Sequence, residues 1–306
     1  MEETVITHTR KLLLMAAALF ALTAFAAIAC GDDEEDTGDA EPTAAATQPS
    51  SIEEIDISGV EELADGKLLV GSDIAYAPIE FFDEDNNAVG LDVDIATAMG
   101  KVLGVEVAFE AGGFDALLPS LDAERYDIVM SAMSVNPERA QVVDFIEYFN
   151  AGVGVIVASG NPKSIKTVDD LCGSKVAVQK GTVQVDLLQG TVDAPGGLDK
   201  KCTDAGKDGI TVLEFDTDPE AVQALVAGQA DAEMADFPVA AYSAQQNEGK
   251  IELVDTQVEP GPYGIAVRKS STALRDALQK AFDAIVEDGT YAEILAKWDL
   301  TAGALE

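Results

Sequence analysis

In the run Ser131-Ala132-Met133-Ser134-Val135-Asn136-Pro137-Glu138-Arg139, Asn136 and Pro137 suit the N-cap and first position of a helix, which puts Arg139 at the third helical residue. A cation there opposes the helix dipole, and a capping box would carry Glu or Gln instead, so helix stability does not account for it. An anionic partner would. The free amides of a helix start, the Ser134 hydroxyl and a bidentate guanidinium together form a carboxylate clamp. The plainer alternative is a surface arginine paired with Glu138 or Asp144.

Asp236 stands where the run Ala232-Glu233-Met234-Ala235 gives way to Phe237-Pro238, so it is either a helix N-cap or an acceptor for an ammonium. A zwitterion held at its carboxylate by Arg139 needs a buried anion for its amine, because an unpaired buried charge costs about several kcal/mol. In Gln179-Lys180-Gly181-Thr182-Val183, Gly181 permits a tight turn into another helix start, which serves as a plain cap or as a second source of amides; Val183 offers no hydroxyl. Asp73 and Tyr76 follow the apolar run Leu68-Leu69-Val70, and Phe114 follows Gly112-Gly113. The two rings belong either to a core or to walls that sandwich an aliphatic or cationic side chain.

These residues need elements to position them. Short apolar runs alternate with amphipathic patterns: Leu68–Val70, helical Asp92–Leu103, Val105–Phe109, helical Phe114–Asp122, Asp127–Met130. Ile95, Met99, Val102 and Leu103 fall at helical spacing, a core-facing stripe. The rhythm restarts with Lys175–Val178, a helix from Thr182, Ile210–Phe215, a helix over Pro219–Ala227, Ala232–Ala235 and a helix from Pro238. Two α/β units follow, in keeping with a chain of 306 residues, more than one core usually holds. A third section, Tyr263–Val267 with helical Thr272–Glu287 and Tyr291–Trp298, is too short to stand alone and is assigned to the first unit. Ligands of open α/β sheets bind beyond the carboxyl ends of the strands, so two facing units would trap a small molecule between them.

Hydrophobic residues make up 47% and charged residues 25%, enough to bury a sizeable core. Acidic residues outnumber basic ones 56 to 19, and the formal net charge of -37 repels phosphate backbones, so nucleic acid is not a partner. The only histidine, His8, lies in the leading segment, which removes Ser-His-Asp triads, Cys-His pairs and histidine metal sites; no cofactor is called for.

Residues 1–29 read as an export signal, with Arg10 and Lys11 ahead of the uncharged apolar run Leu12–Ala29. That run is also long enough for an uncleaved anchor. Ala27-Ile28-Ala29-Cys30-Gly31 resembles a lipobox, in which Cys30 is lipidated and becomes the new N-terminus. Residues 30–58 are acidic and rich in Thr, Ala and Pro, a tether that as flexible coil spans about 30 Å. Cys172 and Cys202 remain as an even pair in an oxidising compartment, hence a disulfide candidate, the alternative being two separate buried thiols.

From about Gly66 to Leu300 the chain resembles the polar-amino-acid-binding proteins of solute-binding protein family 3. The segments that carry the resemblance are Val70-Gly71-Ser72-Asp73 with Tyr76 and Pro78, Val89-Gly90-Leu91-Asp92-Val93-Asp94, Gly113-Phe114-Asp115-Ala116-Leu117, Pro137-Glu138-Arg139, Val178-Gln179-Lys180-Gly181-Thr182, Ala235-Asp236, Pro262 through Lys269, and Asp288 through Trp298. It implies an α/β, two-lobed periplasmic binding protein type II fold with the ligand cleft between the lobes: residues 59–154 and 261–306 in lobe 1, and 155–260 in lobe 2.

The resemblance further implies that Arg139, Ser134 and the Val183 amide hold an α-carboxylate, while Asp236 and the Ala132 carbonyl receive the α-ammonium. Tyr76 and Phe114 would flank the side chain, Asp73 would sense its far end, and Ser131, Gln179 and Thr182 complete the ligand-binding set. The implied function is an extracytoplasmic lipoprotein, anchored to the cell membrane through Cys30. It would capture a free L-amino acid, polar or basic, and hand it to the permease of an ABC transporter. A cyclohexadienyl-dehydratase-like enzyme on the same fold would need an extra unpaired carboxylic acid of raised pKa aimed at the ligand. A sensory ectodomain would need a C-terminal membrane span and signalling domain; the chain stops at Glu306 with neither.

Overall fold

The computed structural model describes residues 55–191 and 195–305. The expected signal, Cys30 and most of the acidic tether therefore lie outside the described residues.

Strand β1 (Lys67–Ser72) leads through a small antiparallel sheet of β2 (Ala75–Tyr76), β3 (Glu80–Phe82) and β4 (Ala88–Val89) into α1 (Leu91–Leu103). Gly90 makes that junction possible: with φ 133°, a Cβ there would fall 2.2 Å from the Ile79 carbonyl oxygen. Strand β5 (Glu106–Ala111), helix α2 (Leu117–Asp122) and strand β6 (Ile128–Val129) follow, and β1 pairs in parallel with both β5 and β6. The expected stripe on α1 is buried at Ile95, Met99 and Leu103.

The helix expected from Asn136 is a single turn, α3 (Arg139–Val142). The Asn136 Oδ1 accepts the Arg139 N–H at 2.8 Å, but the residue before the turn is Glu138, and Arg139 opens the turn instead of standing third. A strand begins at once at Val143, because the apolar residues beyond are claimed by the sheet. That strand, β7 (Val143–Ala158), is 16 residues long and was not expected.

The second unit comprises β8 (Lys175–Gln179), α4 (Val183–Gln189), α5 (Gly197–Asp204), β9 (Thr211–Phe215), α6 (Asp218–Val226), β10 (Ala232–Asp236) and α7 (Phe237–Gln246). Strand β8 pairs in parallel with β9 and β10, and a capping box between Thr217 and Glu220 starts α6. Strand β11 (Ile251–Arg268) is 18 residues long, of which only Tyr263–Val267 was expected. Helices α8 (Thr272–Glu287) and α9 (Thr290–Lys297) then pack on α1.

Strands β7 and β11 run antiparallel to each other and join both units into one eight-stranded sheet, ordered β5-β1-β6-β11-β7-β10-β8-β9. Near Arg268, β11 pairs with β6 through Ala266 and Val267, whereas the far end of β7, Val153–Val157, pairs with β10. Each long strand thus begins in one unit and ends in the other. Their mutual register breaks between Val254 and Val258 and again between Val258 and Gly261, where the strands pass from unit to unit.

Cys172 and Cys202 form a disulfide with Cα atoms 5.5 Å apart, tying the turn before β8 to α5. Closing a loop of 30 residues should stabilise the second unit by about 3 to 4 kcal/mol in the chain-entropy model. We expect a Cys172→Ser/Cys202→Ser double variant to show a correspondingly lower denaturant midpoint. An unchanged midpoint would mean that the cross-link contributes nothing.

Candidate functional site

The carboxyl ends of β1, β8 and β10 and the turn after β6 converge on one cavity. Asp73, Tyr76, Phe114, Ala132, Ser134 and Arg139 line it from the first unit, and Gln179, Thr182, Val183 and Asp236 from the second. Glu80 and Gln184 line it as well and were not expected. Ser131 does not: it sits behind the wall, where its hydroxyl accepts the Asp73 N–H at 2.9 Å and donates to Glu80 Oε1 at 2.8 Å.

Asp236 ends β10 and precedes α7, but its side chain makes no capping bond. Its Oδ2 accepts the Tyr263 hydroxyl at 2.7 Å, and its Oδ1 accepts the Gln184 amide at 2.8 Å. Its N–H donates to the Tyr76 hydroxyl at 2.9 Å. Each carboxylate oxygen so keeps a lone pair for a further donor. Burial raises the Asp236 carboxyl to about 6, although the bonds from Tyr263 and Gln184 pull it down.

Arg139 pairs with neither Glu138 nor Asp144, the latter being bound to Lys269 and Arg275. Its guanidinium donates to the Ser134 carbonyl at 2.7 Å and, across the cleft, to the Gly181 carbonyl at 3.0 Å, and lies 5.3 Å from the centre of the Phe114 ring. Two of its five N–H groups are named in those bonds, which leaves capacity for a carboxylate. Burial lowers its pKa, opposed by the charges of Asp186 and Asp236.

At the other end of the cavity, Gln179 Nε2 donates to Asp73 Oδ2 at 2.5 Å and to the Asp216 carbonyl at 3.1 Å. Burial raises Asp73 to about 6, with Gln179 opposing. Behind this end, Glu80 and Asp92 are buried side by side, and burial pushes both carboxyls up. Asp92 also accepts the Ala132 N–H at 2.9 Å and the Tyr148 hydroxyl at 2.7 Å. Those bonds hold Ala132 at φ 43°, a left-handed conformation that costs an alanine about 1 kcal/mol.

The Thr182 hydroxyl turns away to the Gln179 carbonyl at 2.7 Å, so it locks the turn before α4 and does not cap the helix. Between these side chains the free space is about 10 Å³, room for one water at most. A larger ligand therefore enters only after the two units part, and it takes space now filled by side-chain contacts such as Gln179–Asp73.

The signals for the unexpected members were faint. Gln184 differs from any polar residue in the first turn of a helix only by being 2% exposed, and Glu80 only by lying between Ile79 and Phe81 in a strand.

Residues 68–301 match the profile of the bacterial extracellular solute-binding proteins, family 3. The arginine-binding protein ArgT of Corynebacterium glutamicum is 34% identical over 259 residues, which cover 84% of this chain and 83% of that protein. The L-cystine-binding protein TcyJ of Escherichia coli is 31% identical over 76% of this chain and 82% of its own. The solved structure of an ancestral arginine-binding protein bound to arginine superposes with a TM-score of 0.68 at 37% identity, covering 76% of this chain and 98% of that one.

Proposed function

The chain belongs to the bacterial extracellular solute-binding proteins of family 3, and we propose that its cleft closes on a free polar or basic L-amino acid and presents it to the permease of an ABC transporter. The observation that carries this is the placement of a buried carboxylate with spare acceptor capacity, Asp236, in one cavity with the Arg139 guanidinium. That pair of opposite charges complements an α-ammonium and an α-carboxylate.

The remainder of the cavity favours a cation at the ligand's far end. Tyr76 and Phe114 offer ring faces, and Asp73 offers a carboxylate oxygen not engaged by Gln179. With Arg139 and Asp236 matched to the ligand's α-carboxylate and α-ammonium, Asp73 is left in the lining to be matched by a positive charge at the ligand's far end. Two of the three relatives described above are named for arginine, which supports the basic preference. The lobes, residues 59–154 with 261–306 and residues 155–260, would swing about the register breaks of β7 and β11.

Binding is favoured over dehydratase chemistry by the relatives described above, which are named for binding arginine and L-cystine. Glu80, whose carboxyl burial raises, accepts the Ser131 hydroxyl through Oε1 at 2.8 Å, while its Oε2 has no hydrogen-bond partner among the described residues. Calorimetry of the purified protein against the twenty amino acids tests the proposal. Heat of binding is expected for basic amino acids; no binding by any amino acid would overturn it, and tightest binding of an acidic one would overturn the preference.

Among the described residues no helix is long and apolar enough to cross a membrane. Membrane attachment is assigned to Cys30, at the end of the apolar run 12–29 and before the acidic tether. Cells fed labelled palmitate should label the protein, and Cys30→Ser should abolish the label and release or misprocess the chain. An unlabelled parent protein that keeps its signal would point instead to an uncleaved anchor.

A further inference from the structure

A second set of contacts crosses the cleft outside the cavity. Lys180, in the turn after β8, holds its ammonium 2.8 Å from Asp216 in its own unit and 3.4 Å from the Asp115 carboxylate of the opposite unit. Neither Lys180 nor Asp115 lines the cavity that Arg139, Gln179 and Asp236 enclose. The next residue, Gly181, has φ 75° and approaches the opposite unit so closely that a Cβ on it would lie 2.9 Å from the Asp115 Cβ and 3.1 Å from its Cα. Only a residue without a side chain fits there while the units stay together.

We propose that Lys180, Asp115 and the bare backbone of Gly181 form a latch that retains the closed cleft whichever amino acid lies inside it. The latch presupposes the amino-acid-binding function proposed above, and it separates residues that retain a ligand from those that choose it. A contact made only in the closed form shifts the open–closed equilibrium and so multiplies the affinity of every ligand by one common factor. Lys180–Asp115 is such a contact, since its partners lie on opposite units, whereas Lys180–Asp216 lies within one unit and persists on opening. Asp216 therefore holds the ammonium in place beforehand, which reduces the side-chain freedom lost on closure. The Lys180 and Asp115 side chains are 36% and 42% exposed, so salt screens them and the factor is modest, about three- to fivefold.

Lys180→Gln, Asp115→Asn and the double variant test this through ligand affinity, dissociation rate and hydrogen exchange of the ligand-free protein. The expected result is a rise of about three- to fivefold in Kd for every amino acid that the parent binds, carried by faster dissociation. The double variant should go no further than either single one, and its Kd should depend less on salt than the parent's. Without ligand, amides of 114–117 and 181–183 should exchange faster in the variants. Equal affinities and exchange in parent and variants would overturn the latch, as would a loss confined to one amino acid, which would mark a ligand contact. If the parent binds no amino acid the proposed function fails, while the exchange comparison still decides the latch.

Discussion

Arg139→Ala should weaken amino-acid binding by about 3 to 5 kcal/mol, on the order of a thousandfold, because the ligand carboxylate would be buried without its partner. The guanidinium is fixed before the ligand arrives: the Ser134 carbonyl and the Phe114 ring hold it within its own unit, so little freedom is lost on binding. Arg139→Lys should recover part of the loss, since it restores the charge but not the two-pronged donor geometry. The ligand-free protein should keep its stability to within about 1 kcal/mol. Viewed as the third residue of a full helix, Arg139 would oppose a macrodipole, and its removal would raise the melting temperature; the structure takes that reason away, because α3 is a single turn of 4 residues. What the variant gives up instead are two bonds to backbone carbonyls, and what it gains is release from a desolvated position. Arg125→Ala is the control: that side chain is 60% exposed and pairs with Glu110 outside the cavity. Normal binding by Arg139→Ala would remove the clamp, and with it the assignment of Asp236 to the ammonium.

The difference between what could and could not be read from the sequence has a physical pattern. Asp236, Gln179 and Tyr76 sit at ends of strands and Arg139 at the start of a helical turn, where turn-forming neighbours mark the boundary and a polar residue is conspicuous, and all four line the cavity. The two long strands carry no such mark. In β7 the run Ala151–Val157 is buried at every position, so no alternation distinguishes strand from helix, and β11 contains Pro260 and Gly261, which read as a loop. Both strands lie at the centre of the sheet and change partners along their length, which depends on contacts far away in sequence. Glu80, Asp92 and Glu233 were equally hidden: each lies in an element where a carboxylate would ordinarily face solvent, and only the assembled fold shows them buried to 1% exposure or less. The latch shares this character, since Lys180 and Asp115 stand 65 residues apart and meet only through closure.

Ligand affinity and ligand-free stability should respond to pH in opposite directions. Asp73 and Asp236 each have a carboxyl raised from 3.8 to about 6, by burial first of all. A group whose folded pKa lies above its unfolded value holds an extra proton in the folded state; the stability it contributes is complete below pH 3.8 and is lost as pH rises through about 6. For each of the two the loss amounts to about 3 kcal/mol over that window. The pairs Glu80–Asp92 and Asp218–Glu233, also raised by burial, act in the same direction and carry the loss to higher pH. The ligand-free protein should therefore melt at a higher temperature at pH 5 than at pH 8, helped by partial relief of a net charge of -37. Binding a cationic amino acid works against this, because its ammonium and its far-end charge favour ionised Asp236 and Asp73. Affinity should be full above about pH 7 and fall by up to about tenfold per group between pH 6 and pH 5. Asp73→Asn separates these groups from the general charge effect. It should weaken binding of basic amino acids at pH 7.5 and flatten the remaining pH dependence, because one of the two titrating carboxyls is gone. Equal affinity of the parent at pH 5 and pH 7.5 would mean that neither Asp73 nor Asp236 meets the ligand as an anion, and the basic preference would fall with them.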